Sequence, residues 1–479
     1  MKYVLFTLLG IVGVIVLLLL IALIRTLCTP KKTSAFMPFK QPEREETYAK
    51  KLSEMVKYET VSKAGVDRSE HFRGFHKVLE NLFPLVHKTL EKTEIDGNLI
   101  FYWKGKKSDR PVVLMAHQDV VAAEGKWIHG HFSGDIEDGK VWGRGSADTK
   151  CSLMAFLQAT EELIENGYTP ENDVYLCSSC TEEVGGDGAP KIVKELKARG
   201  VKPFLVCDEG GAIITEPLGG IKGYFAMIGV LEKGHGNLCF SAKSNGGHSS
   251  YPPKNSPIAR LAALVQDVEK HNPMKSKMNR EARTMFESLA PYGPFYLRYL
   301  FGNLWLFKPL LCKLMPSISA QGAALLRTTV AFTMQSGSDG YNVLPQEAKL
   351  FANLRYIPHQ PMAESHAVMQ RLADKYDLKM SVVNAEDCCK PIDFKGDAYK
   401  MVEKAINKTF PDMPVSPYVM TGGTDARFYQ EICDNCIRFA PIIFGPEQMK
   451  GMHGLNENVD TVSLPGAVDF YKTVIQSNT

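Results

Sequence analysis

The residues best able to do chemistry in this 479-residue chain are imidazoles and carboxylates gathered in four short clusters. They are His117-Gln118-Asp119; Asp148 within the run Gly143 to Lys150; the pair Glu182-Glu183; and the pair Asp208-Glu209. Carboxylates crowded into one cleft repel one another and raise each other's pKa unless cations compensate. A divalent metal is the simplest compensation, and mixed imidazole and carboxylate ligands suit zinc. Other chemistries lack their motifs. No HExxH, GxSxG, P-loop or GxGxxG pattern occurs, which removes helical zinc proteases, nucleophile-elbow serine hydrolases and the common nucleotide folds.

The elements that must position these clusters can be read around them. Three clusters end or follow apolar, β-rich runs: PVVLMAH (111–117), DVYLCSSC (173–180) and PFLVCD (203–208). Such runs read as buried parallel strands. Between the first two, Leu153, Met154, Leu157 and Leu163 recur at helical spacing, which predicts a helix over 150–166. In open α/β sheets ligands gather at the carboxyl ends of strands, where these clusters fall. From about residue 227 the pattern shifts to alternating strands (GHGNLCFSAKS, EAKLFANLRYIP) and a helix (SPIARLAALVQDVEKH), and after about 390 the α/β pattern resumes. The expectation is an α/β catalytic domain with a mostly parallel central sheet, split into 45–226 and 391–479, and interrupted by an α+β unit at 227–390.

Two stretches stand apart. Residues 3–24 carry no charge and as a helix would span about 33 Å at ~1.5 Å per residue, enough to cross a bilayer. The run is longer than a signal-peptide core and lacks a good cleavage site, so residues 1–27 read as a single-pass anchor, with Pro-containing residues 28–44 as a linker. Arg25, Lys31, Lys32 and Lys40 favour a cytoplasmic catalytic domain by charge counting. First signal-anchors often insert the other way, so both orientations stay open. The second stretch, 292–315, is apolar and aromatic, with Arg298, Asn303, Lys308 and Lys313 spaced so that no single polar face forms. Lys308-Pro309 is expected to break it into two helices. It reads either as a helix pair packed on the inserted unit, or as a channel or membrane-docking patch for lipophilic chains. The net charge of +3 and the lack of a basic face disfavour nucleic-acid binding. Eleven cysteines without framework spacing suit a reducing compartment. Of the CxxC pairs Cys177/Cys180 and Cys433/Cys436, the first lies in a strand pattern that would face its thiols to opposite sides.

Nine segments in order resemble the co-catalytic zinc metallopeptidases and amidohydrolases that include aminoacylase, acetylornithine deacetylase and carboxypeptidase G. The carboxypeptidase S branch is the most similar. The segments are MAHQDVV, FSGDIEDGKVWGRGSADTK, TEEVGG, CDEGG, GGHSS, NVLP, NLRYIP, GGTDAR and Met452-His453-Gly454, and the resemblance runs from about residue 45 to the end. The resemblance implies two zinc ions about 3–4 Å apart, with Co2+ or Mn2+ as substitutes. Asp148 would bridge them; His117 and Asp208 would complete one site, Glu183 and His453 the other. Asp119 would accept the second ring N–H of His117. Glu182 would be the general base, taking a proton from the attacking water and delivering it to the leaving amine. The inserted unit would be a ferredoxin-like lid and dimerisation domain, making a homodimer a further expectation. Its His248 would polarise the scissile carbonyl. Asn342 and Arg355 would hold the substrate's α-carboxylate, with Gly422 and Gly423 allowing close backbone approach. The implied substrate is a peptide or N-acyl amino acid, cleaved at an amide beside a free C-terminal carboxylate.

Competing readings attach to several of these residues. Side chains alternate along an extended segment, so only one of Asp208 and Glu209 should face the metals, and the resemblance favours Asp208. Arg355 could serve as a structural ion-pair arginine. His129, His131 and His235 match no ligand position and read as structural. Cys151 stands where relatives usually have glycine after the DxK lysine. A dipeptidase or aminopeptidase of related fold, or a non-catalytic amino-acid-binding relative, are the alternatives. An amine-recognising site should offer an acid where Arg355 stands.

Overall fold

The computed structural model describes residues 2–479. Its centre is a ten-stranded mixed sheet. Four neighbouring strands, Asn172–Ser178, Lys107–Met115, Leu205–Asp208 and Cys436–Arg438, run parallel. The flanks do not follow suit. Asn98–Trp103 pairs antiparallel with Asn172–Ser178, and Phe225–Glu232 pairs antiparallel with both Cys436–Arg438 and Ala212–Ile214. The sheet is therefore mixed, with parallel pairing at its core, where the expectation was mostly parallel. Apolar runs buried on both faces look alike in either orientation, so the runs themselves carry no direction.

Alternation along these strands feeds two helix layers. Val112, Leu114, Leu176, Leu205 and Cys207 face a core shared with helices Pro42–Lys57, Lys150–Glu165, Asp397–Thr409 and Ser463–Ser477. Val113, Met115, Tyr175, Cys177 and Val206 face the opposite side, against helix Gly188–Ala198 and Ala426–Tyr429. Period-two side-chain direction under a two-sided cover is the mark of an α/β layer structure. Because the central strands are parallel, their carboxyl ends share one edge, and the ligand clusters follow those ends.

A separate four-stranded antiparallel sheet has the spatial order Thr329–Ser336, Glu347–Tyr356, Gly234–Lys243, Lys379–Glu386. Helices Pro257–His271 and Met362–Lys375 cover it and share its own apolar core. Ser256 caps the first of these, its hydroxyl accepting from the Ala259 N–H. Phe225–Glu232 still belongs to the large sheet, and the small sheet opens at Gly234. Between them Lys233 is buried, its ammonium donating to the carbonyls of Ala324 and Arg327, both at 2.9 Å.

The N-terminal helix Lys2–Cys28 contains a 26-residue span, Tyr3–Cys28, long and apolar enough to cross a membrane by length and composition. Its last turns are held by the 292–315 segment. Asn303 donates to the Ala22 carbonyl (3.2 Å) and the Thr26 hydroxyl (3.0 Å), the Tyr299 hydroxyl donates to the Leu19 carbonyl, and Arg298 donates to the carbonyls of Thr26 and Thr29. The break in this segment falls at Gly302-Asn303, between helices Phe295–Phe301 and Leu304–Ile318, and Pro309 lies inside the second helix. That corrects the expected break at Lys308-Pro309. Asn303 turns its amide into carbonyls at the preceding helix end and on the N-terminal helix, which ends a helix more firmly than one missing N–H in the second turn of the next. Residues 29–41 lie against the protein instead of hanging free: Lys32 N–H bonds the Pro291 carbonyl, and Phe36 packs edge-on to Tyr224 and Phe410.

Candidate metal centre and active site

The central residue of the site is Asp148, at the end of a turn-rich segment that precedes helix Lys150–Glu165. One carboxylate oxygen lies 3.1 Å from His117 Nε2 and the other 3.2 Å from His453 Nε2, which also sits 3.0 Å from Glu183. Two groups of ligand atoms result: His117, Asp148 and Glu209, and Asp148, Glu183 and His453. Asp148 belongs to both. A carboxylate with its two oxygens in two such groups is the arrangement that lets one residue bridge two ions. His453 takes a left-handed backbone conformation, φ +54°, uncommon for a residue with a Cβ.

Surrounding groups hold these ligands in place. His117 Nδ1 faces the backbone carbonyl of Asp119 at 2.9 Å, which leaves Nε2 toward Asp148. The Asp119 carboxylate lies farther from the ring, at 3.6 Å, and accepts the backbone N–H groups of Glu182 and Glu183, both at 3.1 Å. Asp119 thus orients the histidine through its main chain and the glutamate pair through its side chain. Buried Glu457 accepts the N–H groups of Gly145, Ala147 and Asp148 and pairs with Arg144 at 2.5 Å. It sets the turn that carries Asp148. No local pattern in the sequence announces it, because its partners lie more than 300 residues away in the chain.

The structure groups one of the adjacent acids differently from the expected assignment. Glu209, not Asp208, joins His117 and Asp148. Asp208 ends its strand with one carboxylate oxygen accepting the Glu209 N–H and the other the Ala426 N–H, both at 2.8 Å. The next side chain points the other way along the extended segment, and Glu209 is the one grouped with the cluster.

The electrostatics favour bound cations. Burial above all, with the Asp425 and Glu183 carboxylates adding, holds Glu182 well above the ordinary carboxylate range against the pull of His117. Burial and then the Asp148 carboxylate do the same to Glu209. Asp425, to which the Ser179 hydroxyl donates, is pushed up to about 7, chiefly by burial. Glu183 Oε1 is buried without a hydrogen-bond partner, and an orphaned carboxylate oxygen in such a site calls for a ligand. Imidazole and carboxylate donors in two overlapping groups fit divalent metal ions.

The residues assigned to substrate make no hydrogen bond or ion pair to these ligands among the described residues. Arg355 sits on strand Glu347–Tyr356, partly buried and without an ion pair among the described residues; burial and then Arg427 lower its pKa, and Glu232 raises it. A Cβ at Gly423 would approach the mobile end of the Arg427 side chain to 2.8 Å, whereas at Gly422 nothing lies within 4 Å. The segments carrying His248 and Asn342 adjoin, the Ser249 N–H bonding the Asn342 carbonyl; both residues are exposed and, among the described residues, neither hydrogen-bonds the candidate ligands. Among the remaining histidines, His129 stacks on Trp142, His131 bonds the Gly125 carbonyl, and His235 lies in the small sheet. All eleven cysteines are free thiols.

Comparison with known proteins places this geometry. Residues 113–477 match the family model described as Peptidase family M20/M25/M40. The chain is 32% identical over 441 residues to "Probable carboxypeptidase S-like 2" of Dictyostelium discoideum, covering 90% of this chain and 84% of the relative. It is 35% identical over 413 residues to "N-fatty-acyl-amino acid synthase/hydrolase PM20D1" of Bos taurus, covering 84% and 82%. The M20 family metallo-carboxypeptidase Sso-CP2 from Sulfolobus solfataricus shares the fold, with a TM-score of 0.67 at 16% identity over 90% of this chain and 99% of that one. An Asp148-centred ligand cluster on the edge of this sheet, and a family match across most of the chain, lead to one assignment: the protein belongs to the M20 family of metallopeptidases and amidohydrolases.

Proposed function

We propose that this protein binds two zinc ions and hydrolyses an amide bond beside a free C-terminal carboxylate, releasing an amino acid from a peptide or an N-acyl amino acid. The observation that carries the reading is the double engagement of Asp148, with Glu183 and His453 on one side and His117 and Glu209 on the other. Ions bound there would supply the positive charge that polarises the scissile carbonyl and acidifies water. The chain's own residues do the rest. Glu182, buried and adjacent to ligand Glu183, takes a proton from the attacking water and passes it to the departing amine. Asp119 holds both glutamates at their backbone N–H groups, so the base and the ligand keep their mutual spacing.

Arg355 supports a carboxylate over an amine at the substrate's far end, because an unpaired guanidinium beside Arg427 repels an ammonium group. Asn342, Gly422 and Gly423 complete that subsite in this reading. His248 and Asn342 must come to the cluster from where they stand, by closure of the 227–390 unit as a lid or from a second copy in a homodimer. Residues 1–27 would anchor the chain in a membrane, and 45–226 with 391–479 would form the catalytic domain. The test is amino-acid release from a panel of dipeptides and N-acyl amino acids, with and without chelator. Release that survives complete metal removal would refute the metal-dependent reading. Release that requires a free amine and ignores the carboxylate would favour an aminopeptidase.

A further inference from the structure

The body of the protein takes hold of the helix Lys2–Cys28 before its apolar run has ended. Residues 3–24 carry no charge and Arg25 follows, so in a bilayer the edge of the hydrocarbon falls near Arg25. Yet the Tyr299 hydroxyl reaches the Leu19 carbonyl, and the Asn303 amide reaches the Ala22 carbonyl. Ala22 is itself buried in an apolar cluster with Phe301, Leu304 and Phe307. At ~1.5 Å of rise per residue, Leu19 lies about 9 Å and Ala22 about 4.5 Å short of Arg25 along the helix axis. Whatever grips the helix at those residues shares their depth.

The gripping surface suits lipid. Leu304, Phe307 and Leu311 of helix Leu304–Ile318 pack inward, in the cluster that buries Ala22. Leu310, Leu314 and Ile318, each four residues from the next, form an outer stripe. These three, with Phe295, Tyr296 and Trp305, range from 43% (Leu314) to 78% (Ile318) exposed. Trp305 is held in place by its indole N–H, which donates to Asn303 Oδ1 at 3.2 Å. An amphipathic ring fixed in this way is characteristic of the membrane–water boundary. The polar residues of the segment each have an outlet. Arg298 and Asn303 are occupied by the carbonyls and hydroxyl of the N-terminal helix and the residues just after it. Lys308 lines a cavity with Lys277 and Arg280 of the protein body. Lys313 is exposed, and its long stem lets the ammonium extend to the headgroups.

We infer that helices Phe295–Phe301 and Leu304–Ile318 are seated in the bilayer leaflet from which the helix Lys2–Cys28 emerges, so that the protein body rides on the membrane instead of hanging from a tether. The inference rests on the reading of residues 1–27 as a membrane anchor. Depth, not direction, carries it: at the level of Leu19 to Ala22, an exposed side chain beside the anchor meets acyl chains or the headgroup boundary, not bulk water. The segment after the anchor agrees, because Lys32 is already bonded to the Pro291 carbonyl at 2.9 Å and leaves no free length for a tether.

The experiment places the full chain, with metal, in phosphatidylcholine nanodiscs whose acyl chains are plain or brominated at a shallow or a deep carbon. Tryptophan emission is the readout, since contact with bromine quenches it. Trp305 is one of four tryptophans, and Trp305→Phe isolates its share. Wild type should lose emission in the shallow-brominated discs, and Trp305→Phe should remove at least about half of that loss, as an indole at the membrane boundary requires. Phe295→Trp in the Trp305→Phe background moves the reporter to the other helix, onto an exposed ring that stacks on Tyr299 with centroids 6.1 Å apart, and should restore the loss. Val14→Trp in the same background reports the anchor alone; it stands in the middle of the apolar run and should be quenched most by deep bromines. Quenching of Val14→Trp with none at Trp305 or Phe295→Trp overturns the seating and leaves the anchor standing, the result expected if a second copy of the chain covered the outer stripe. No quenching at any reporter brings down the anchor reading as well.

Discussion

Exchanging the acid at 208 or at 209 distinguishes a carboxylate hydrogen-bonded to backbone N–H groups from one proposed to hold a metal, and the two substitutions should differ in their effect on stability. Asp208→Asn retains one acceptor oxygen but turns an amide NH2 toward a backbone N–H, either that of Glu209 or that of Ala426, each now 2.8 Å from a carboxylate oxygen. One buried donor loses its partner and the other bond loses its charge, a cost of about 2–3 kcal/mol. Glu209→Gln removes a carboxylate that burial and Asp148 already hold well above its ordinary pKa, so in metal-free protein it should be neutral or stabilising. Metal content should respond the other way. Glu209→Gln loses part of its bound metal after dialysis, because a ligand grouped with His117 and Asp148 is weakened; Asp208→Asn keeps the wild-type metal content. The assay pairs elemental analysis of dialysed protein with thermal unfolding of chelator-treated protein. Metal loss in Asp208→Asn with full retention in Glu209→Gln would refute the geometry described here.

Three further outcomes can be checked. Glu182→Ala should keep the metal bound by Glu183 and its partners yet lose about 10²–10⁴-fold in turnover, the usual contribution of a general base; a variant that loses metal instead shows that Glu182 is a ligand. Glu457→Ala strands three buried N–H groups and the Arg144 guanidinium, so it should destabilise by about 3–5 kcal/mol, read from denaturant unfolding of the metal-free protein. Burial holds the Lys233 ammonium down to about 7, against about 10.4 in an unfolded chain. The folded state therefore binds fewer protons between those values, and stability rises with pH across that window, fully present above about 10.4 and lost as pH falls through about 7. Lys233→Met should flatten the profile between pH 7 and 10, removing a slope worth up to about 4 kcal/mol; parallel profiles for the two proteins would contradict the assignment.

Some of the molecule could be read along the chain because its causes are local. The apolar runs before His117, Glu182 and Asp208 are strands in the structure, ending at Met115, Ser178 and Asp208. The Leu153–Leu163 spacing is the helix Lys150–Glu165. The order of the small-sheet strands and helices likewise follows the alternation in the sequence. The orientation of the outer strands was not legible, since an apolar β run buries equally well in parallel or antiparallel pairing. Nor was the helix break at Asn303, whose amide is occupied by Ala22 and Thr26 on a helix about 280 residues earlier.

By itself the sequence determined the chemistry's raw materials: which residue types stand at strand ends, and therefore that imidazoles and carboxylates would gather on one edge of an α/β sheet. Only the tertiary structure decided which of them come together. Asp208 accepts the N–H of Ala426, 218 residues away, while Glu209 reaches His117 and Asp148. Glu457 shapes the Asp148 turn from 309 residues downstream. The physical reason is the same in both cases. A carboxylate's surroundings include donors from distant parts of the chain, and those are brought to it by folding.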